Sequence, residues 1–552
     1  MTSYLFSRTR EFLSCKALLT FTLAFVLFMF PDPLHAKPSS NQHPAAPSAP
    51  FIQFNEVVLI SLGDSLTQGT MNAVNNATNA QNSYIQKVAD ALGAAVGLTF
   101  KQPLLDNDEH RINPFVVPTN LGVDGADTFS LEGKEYYKRA GALDSYYTTF
   151  HFCDKLFPWK FEDLYDHVLY PINLLARRPV SQLDASIWLL NRVVERSDQT
   201  KAAVVLWIGN NESSNAALGF GAMNPTFFPM PLDQVEPELD PLLTFLLHYA
   251  NSRDILSLKP YTASAINRNL TDVDDFEEQY NYILTRLGRE VPGLEEHAEI
   301  FLCTLPYYSS VGFLLDSCDL EYYLQKINPS YSVPEIFKPA NPSGASREGD
   351  HTSLITFLFM FFLLHQGYTV DYVNQVLADD GLVLSEDEQW SVQTRIDTFN
   401  QIIREASDSH GPNIHLIETG DYLNDVLTGR TSITINSRVL HPRWLRGGLF
   451  SMDGVHPGYT ANVFIANFIL ERMDEVLGTK SPRYDPGEVM GKDPYIDQDG
   501  DGWVPGPDYD ARGFAELLFL LRDPDDRDAS VEPALPPDIW TRISDALLET
   551  LF

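Results

Sequence analysis

The stretch LISLGDSLTQGT, residues 59–70, runs from a continuous apolar segment straight into Gly63, Asp64 and Ser65. A short apolar run bounded by such a turn reads as a β-strand buried on both faces, and it delivers a serine at its carboxyl end. In open α/β sheets that end is where ligands and reacting groups gather. A serine there is either a nucleophile or a turn residue capping a helix, and the stretch alone does not separate the two. Ser65 can act as a nucleophile only if the chain also supplies a base, an acid to orient that base, and donors for an oxyanion.

Outward from this stretch, similar apolar runs recur as FVVPTNLG (115–122), AAVVLWIG (202–209), AEIFLCTL (298–305) and NIHLIET (413–419). Helical periodicity separates them at 83–92, 183–197 and 390–406. Alternating strand and helix predicts an α/β fold around a parallel sheet, with long inserts at about 130–180, 214–270 and 306–385. The insert segment LITFLFMFFLLH (354–365) is almost wholly apolar. It falls short of the roughly 20 residues that span a bilayer, which leaves a buried helix or a lipid-facing lid.

The 552 residues carry a formal charge of -35, which argues against nucleic acid as a partner. Residues 1–36 have the order of a secretory signal: Arg8, Arg10 and Lys16, then an apolar run from Ala17 to Phe30, then Ala36 at the cleavage point. This predicts export to a periplasmic or extracellular location, with an uncleaved anchor as the competing reading. Residues 37–50 (KPSSNQHPAAPSAP) read as a flexible linker, so folded structure is expected from Phe51. Cys303 and Cys318 can pair in an oxidising compartment, leaving Cys153 single, but spacing alone does not establish a bridge.

Near the other end, GGLFSMDGVHPGYTAN (447–462) places Asp453 three residues before His456 on a turn. That spacing lets a carboxylate fix the imidazole tautomer, leaving the other ring nitrogen to take a serine proton. NLGVDGA (120–126) and WIGNNES (207–213) offer a close backbone approach at Gly125 and a side-chain amide donor at Asn211. Tight turns explain each of these separately.

Together these blocks resemble the GDSL esterases and lipases of the SGNH hydrolase superfamily, whose four motifs carry Ser, Gly, Asn and His in that order. The resemblance covers short blocks within 57–69, 120–126, 202–212 and 447–470 and leaves out the inserts. It implies a flavodoxin-like three-layer α/β/α sandwich over residues 51–479. It also implies a Ser65–His456–Asp453 triad and an oxyanion hole formed by Ser65, Gly125 and Asn211. Glu212 stands where the family usually has Asp, and Asp124 where a serine is common; the Asp124 side chain is expected to point away from the oxyanion. The expected activity is acyl-enzyme hydrolysis of a carboxylic ester, with no cofactor required for catalysis. A lipid or phospholipid ester, with transient contact to a lipid surface, suits the apolar inserts, and a polysaccharide O-acetylesterase is the alternative.

Residues 480–552 shift toward Pro, Gly and Asp and contain DQDGDGWVPGPD (497–508). Asp497, Asp499, Asp501, the Trp503 carbonyl and Asp508 fall at loop positions 1, 3, 5, 7 and 12, with Gly502 at the sharp turn. This resembles one EF-hand or dockerin loop and predicts a structural Ca²⁺. A secreted calcium-binding adhesion protein without catalysis is the non-enzymatic alternative.

Overall fold

The computed structural model describes residues 54–133, 164–176, 180–196, 199–218, 270–339, 347–378, 382–510, 514–539 and 542. The expected signal, the linker, Cys153 and most of the first two inserts lie outside the described residues.

Five parallel strands form the central sheet: β1 (Glu56–Gly63), β2 (Gly97–Thr99), β3 (Thr200–Trp207), β4 (Ala298–Cys303) and β5 (Ile414–Ile417). Their spatial order is β2-β1-β3-β4-β5. β1 pairs with β3 along its whole length, from Glu56 opposite Thr200 to Gly63 opposite Trp207. Every residue of β3 except Lys201 is buried, as expected of a central strand covered on both faces.

The sequence reading of 57–63, 202–209, 298–305 and 413–419 as strands is met, but FVVPTNLG is not a strand. It makes only a parallel bridge from Asn120 to Ser61, continuing the edge position where β2 stops. Pro118 has no N–H for a ladder, and Phe115 is exposed.

Helices α1 (Ser65–Gln68), α2 (Tyr84–Ala95), α3 (Gln182–Val194), α4 (Val273–Glu290), α5 (Leu354–His365), α6 (Glu386–Ser409) and α7 (Tyr459–Leu477) supply the flanking layers. α2 packs against α7, and α3, α4 and α6 form a second contiguous group. Periodicity dictates which side faces inward: Tyr84, Ile85, Val88, Ala89 and Leu92 of α2 are buried together. α5 is apolar all round, and Leu354 through Leu364 are all buried, with Phe357 against Tyr323 and Trp444. No described helix is long and apolar enough to cross a membrane.

Cys303 is buried in β4 and Cys318 is exposed on the helix Ser317–Ile327; both are free thiols.

One fully buried side chain fastens the first strand to the loops at its carboxyl end. Asn120 Oδ1 accepts from Ser61 Oγ (2.9 Å) and Gly122 N (3.1 Å), while Nδ2 donates to the Thr67 carbonyl (2.8 Å) and Gln102 Oε1 (2.7 Å). Asn120→Ala leaves these partners buried without a counterpart. We expect a loss of about 2–4 kcal/mol of stability, read as a lower denaturant midpoint at unchanged slope.

Candidate active site at the switch point of the sheet

The strand order reverses direction between β1 and β3, which opens a crevice at their carboxyl ends. The blocks that follow these two strands meet there. Asp64 caps α1 by accepting from Leu66 N at 3.1 Å, which places Ser65 at the first helical position, where the backbone N–H has no acceptor within the helix. Ser65 keeps 9% of its surface exposed. From the end of β3, Asn210 Nδ2 donates to Asp64 Oδ2 at 2.8 Å. Burial pushes the Asp64 carboxyl up to about 7, against the pull of these two hydrogen bonds.

Gly125 has φ = +74°, a conformation open to glycine at little cost. Asn211 donates through Nδ2 to the Ala126 carbonyl at 2.8 Å, which uses one of its two amide hydrogens and ties its block to that of Gly125. Glu212 is fully buried and accepts from Thr128 N at 2.7 Å, so the longer acid braces the short helix Thr128–Glu132. Asp124 accepts from Asn75 Nδ2 at 3.0 Å.

The expected contact between Asp453 and His456 is present. His456 Nδ1 lies 2.7 Å from Asp453 Oδ2, while Asp453 Oδ1 accepts from the backbone N–H groups of Val455 (2.8 Å) and His456 (2.9 Å). Gly454, at φ = +70°, is what lets this turn close, because a Cβ there would meet Phe313 N at 2.5 Å. Burial raises the Asp453 carboxyl, but the neighbouring imidazolium and these hydrogen bonds outweigh it and hold the group below the usual carboxylate value. For His456 burial disfavours the imidazolium, and the charges of Asp453, Asp124 and Asp64 outweigh that, so its pKa lies above the ordinary histidine value.

Among the described residues no hydrogen bond joins Ser65 Oγ to the His456 ring. The residue after Ser65 and the residue before His456, Leu66 and Val455, line one apolar pocket of about 70 Å³ with Trp207, Tyr308, Pro457 and Phe464. Catalytic hydrogen bonds are often long without substrate and tighten only in the reacting complex.

The residues that bring the two halves together were not read from the sequence. Asn72 and Ala73 both adopt left-handed backbone, at φ = 57° and 56°. Their successive N–H groups donate to Ser451 Oγ (3.0 Å) and Asp453 Oδ2 (2.9 Å), and Asn72 Oδ1 accepts from Met452 N (2.8 Å). Asn72 Nδ2 also donates to the hydroxyls of Tyr495 (2.9 Å) and Tyr509 (3.0 Å). The only sequence signal was the asparagine-rich run MNAVNNATNAQN (71–82), since asparagine tolerates this conformation better than most residues.

In the C-terminal region Asp497, Asp499 and Asp501 present oxygen atoms within 4.8 Å of one another, and Asp499 does the same with Asp523 and Asp526. Asp508, expected at position 12, is exposed and belongs to neither group. The Trp503 N–H donates to Asp501, and its ring is buried beside Tyr323. Asp523 and Asp526 escaped the sequence reading because they lie beyond the loop pattern.

No protein-family model matches the chain, and no curated protein does either.

A left-handed backbone costs a side-chain-bearing residue about 1–2 kcal/mol. Ala73→Gly is therefore expected to leave thermal stability unchanged or slightly raised. Ala73→Val, with a β-branched side chain in the same conformation, should lower it by about 1–3 kcal/mol in thermal or chemical unfolding.

Proposed function

We propose that this protein is a serine ester hydrolase of the GDSL type, with the three-layer sandwich fold of that group. The observation that carries the reading is the 2.7 Å bond from His456 Nδ1 to a buried Asp453, whose charge partner also acts on Asp64, the residue before Ser65 at the start of a helix. A carboxylate held in this way orients and charge-stabilises a base, and a serine hydroxyl that reaches such a base can carry out acyl transfer.

In the proposed cycle Ser65 Oγ attacks the ester carbonyl carbon while its proton passes to His456 Nε2. The oxyanion that forms is held by the Ser65 and Gly125 N–H groups and the Asn211 amide. Collapse expels the alcohol, which takes the proton from His456. Water then gives a proton to the same nitrogen and attacks the acyl-enzyme, and as the acid leaves His456 returns that proton to Ser65 Oγ, restoring both groups. The chemistry as written uses no cofactor.

The pocket between Leu66 and Val455 supports an acyl chain rather than a bare acetyl group as the recognised part, because its lining is aliphatic and aromatic. The apolar N-terminal run supports export.

Ser65→Ala should abolish hydrolysis of p-nitrophenyl esters and labelling by a fluorophosphonate while leaving the circular dichroism spectrum unchanged; near-native turnover by that variant would end the assignment. Butyrate and octanoate esters should be cleaved faster than acetate and faster than acetylated xylan.

The pH dependence has a defined sign. Only neutral His456 accepts a proton, and its pKa is raised, so kcat/KM should climb along a limb centred above the ordinary histidine value. Removing the charge at Asp124 weakens that support. In Asp124→Asn the limb should therefore move to lower pH, a shift that a purely structural role for Asp124 does not produce.

A further inference from the structure

The acidic cluster of the C-terminal region carries an inference independent of ester chemistry. Two chain segments build it. Asp523 N donates to the Val504 carbonyl at 2.8 Å, and Val504 bridges Arg522, which lays residues 522–526 alongside the loop 497–504. Gln498 N then donates to Asp526 Oδ1 at 2.7 Å.

Within the cluster Asp497 accepts on both oxygens, from Gly500 N (2.7 Å) and Gly502 N (3.0 Å), and three others are oriented through one oxygen each. Asp499 Oδ1 accepts from Asp501 N (3.1 Å), Asp501 Oδ1 from Trp503 N (2.8 Å) and Asp523 Oδ1 from Asp525 N (2.9 Å). The second oxygen of each, Oδ2 of Asp499, Asp501 and Asp523, is buried without a hydrogen-bond partner. Asp501 and Asp523 are each only 6% exposed, and Asp497 only 3%. Buried carboxylate oxygens without a donor are costly, and several in one place repel one another. Protein cations do not resolve this. The charges of Lys326 and Arg438 reach the cluster, but among the described residues neither makes an ion pair with it, and Lys326 is paired with Glu532 at 3.1 Å.

A dication with oxygen ligands would meet these unpartnered oxygens, and Asp499, which belongs to both groups of three, joins the two segments. Ca²⁺ takes 6–8 oxygens at roughly 2.3–2.6 Å, whereas Mg²⁺ usually keeps several waters and binds one or two carboxylates. A cage of five carboxylates from two segments suits Ca²⁺.

The same residues connect to the catalytic turn. Tyr495 and Tyr509 flank the loop on either side, and both hydroxyls accept from the Asn72 amide whose oxygen holds Met452 N, next to Asp453. We propose that Asp497, Asp499, Asp501, Asp523 and Asp526 hold one calcium ion between two chain segments, and that this ion fastens residues 495–509 and 522–526 to the Asp453–His456 turn. The linear loop reading with Asp508 as the last ligand is thereby replaced by a two-segment site.

The test uses the full mature chain, stripped with a chelator and titrated with CaCl2 or MgCl2 by calorimetry. We expect one Ca²⁺ per chain with a Kd of about 10⁻⁷–10⁻⁴ M, and weaker Mg²⁺ binding. Asp523→Asn and Asp526→Asn, which keep side-chain shape, should each weaken Ca²⁺ binding about tenfold or more, while Asp508→Asn leaves it unchanged. Calcium should also slow amide exchange in peptides covering 70–75 and 449–458. Absence of Ca²⁺ binding overturns the site, native affinity in Asp523→Asn and Asp526→Asn overturns the two-segment geometry, and unaltered exchange at saturating Ca²⁺ overturns the fastening. None of these readouts involves ester turnover, so they stand or fall apart from the hydrolase reading.

Discussion

The carboxylate of Asp453 is the point on which the rest of the site depends. It is fully enclosed and accepts four hydrogen bonds: from Val455 N and His456 N on one oxygen, and from Ala73 N and His456 Nδ1 on the other. A buried charge is tolerated only when its lone pairs are met in this way, and charge-assisted bonds of this type are the strong ones. Each donor comes from a position that something else has to hold. Ala73 comes from the loop after the nucleophile, and Val455 and His456 come from the turn itself. One carboxylate therefore joins chain segments nearly four hundred residues apart and sets the tautomer of the base.

Ser65 and His456 are supported by different parts of the molecule. Ser65 follows directly from β1, and its surroundings are fixed by the sheet, by Asn120 and by the Asn210–Asp64 contact. The stem of the His456 turn is held elsewhere. Arg443 bonds to Asp316 at 2.9 Å and Asp319 at 3.0 Å, and Arg446 to Asp319 at 2.7 Å, pinning residues 443–446 to the third insert. Asp316 and Asp319 are almost wholly buried. Such a network specifies position more surely than it adds stability, because desolvation offsets much of the attraction.

The sheet was legible in the sequence because its strands are apolar on both faces and its helices carry a clear 3.6-residue period, signals that follow from burial itself. FVVPTNLG misled because its apolar residues are not covered as the pattern implies, Phe115 being exposed and Val116 and Val117 only partly buried, and only Pro118 reported the missing ladder. The site blocks were legible because glycine, asparagine and a spaced Asp-x-x-His are rare in that order. Asn72, Ala73 and Asn120 were not legible. Their importance lies in which distant atoms they meet, and an asparagine or alanine in a polar run carries no local sign of that. Asp523 was hidden in another way, since a linear loop pattern ends at position 12 and cannot report a ligand brought in by a Val504–Asp523 backbone contact.

This division of support bears on how the geometry can fail. Displacing a reacting group by about 1 Å can cost about 100-fold in rate, so the support of the base matters as much as its chemistry. The sheet fixes Ser65, Gly125 and Asn211 relative to one another, because Asn210, Asn211 and Glu212 each bond across to one of the neighbouring blocks. His456 is positioned instead by Asn72, Ala73 and the insert, and Asn72 in turn is shared with two tyrosines of the C-terminal region. Contacts of that region therefore reach the His456 turn through Asn72, whereas Asn211 is tied to the Ala126 carbonyl. The long insert and the C-terminal region, which the motif blocks do not cover, are thus in contact with the segments that hold the His456 turn.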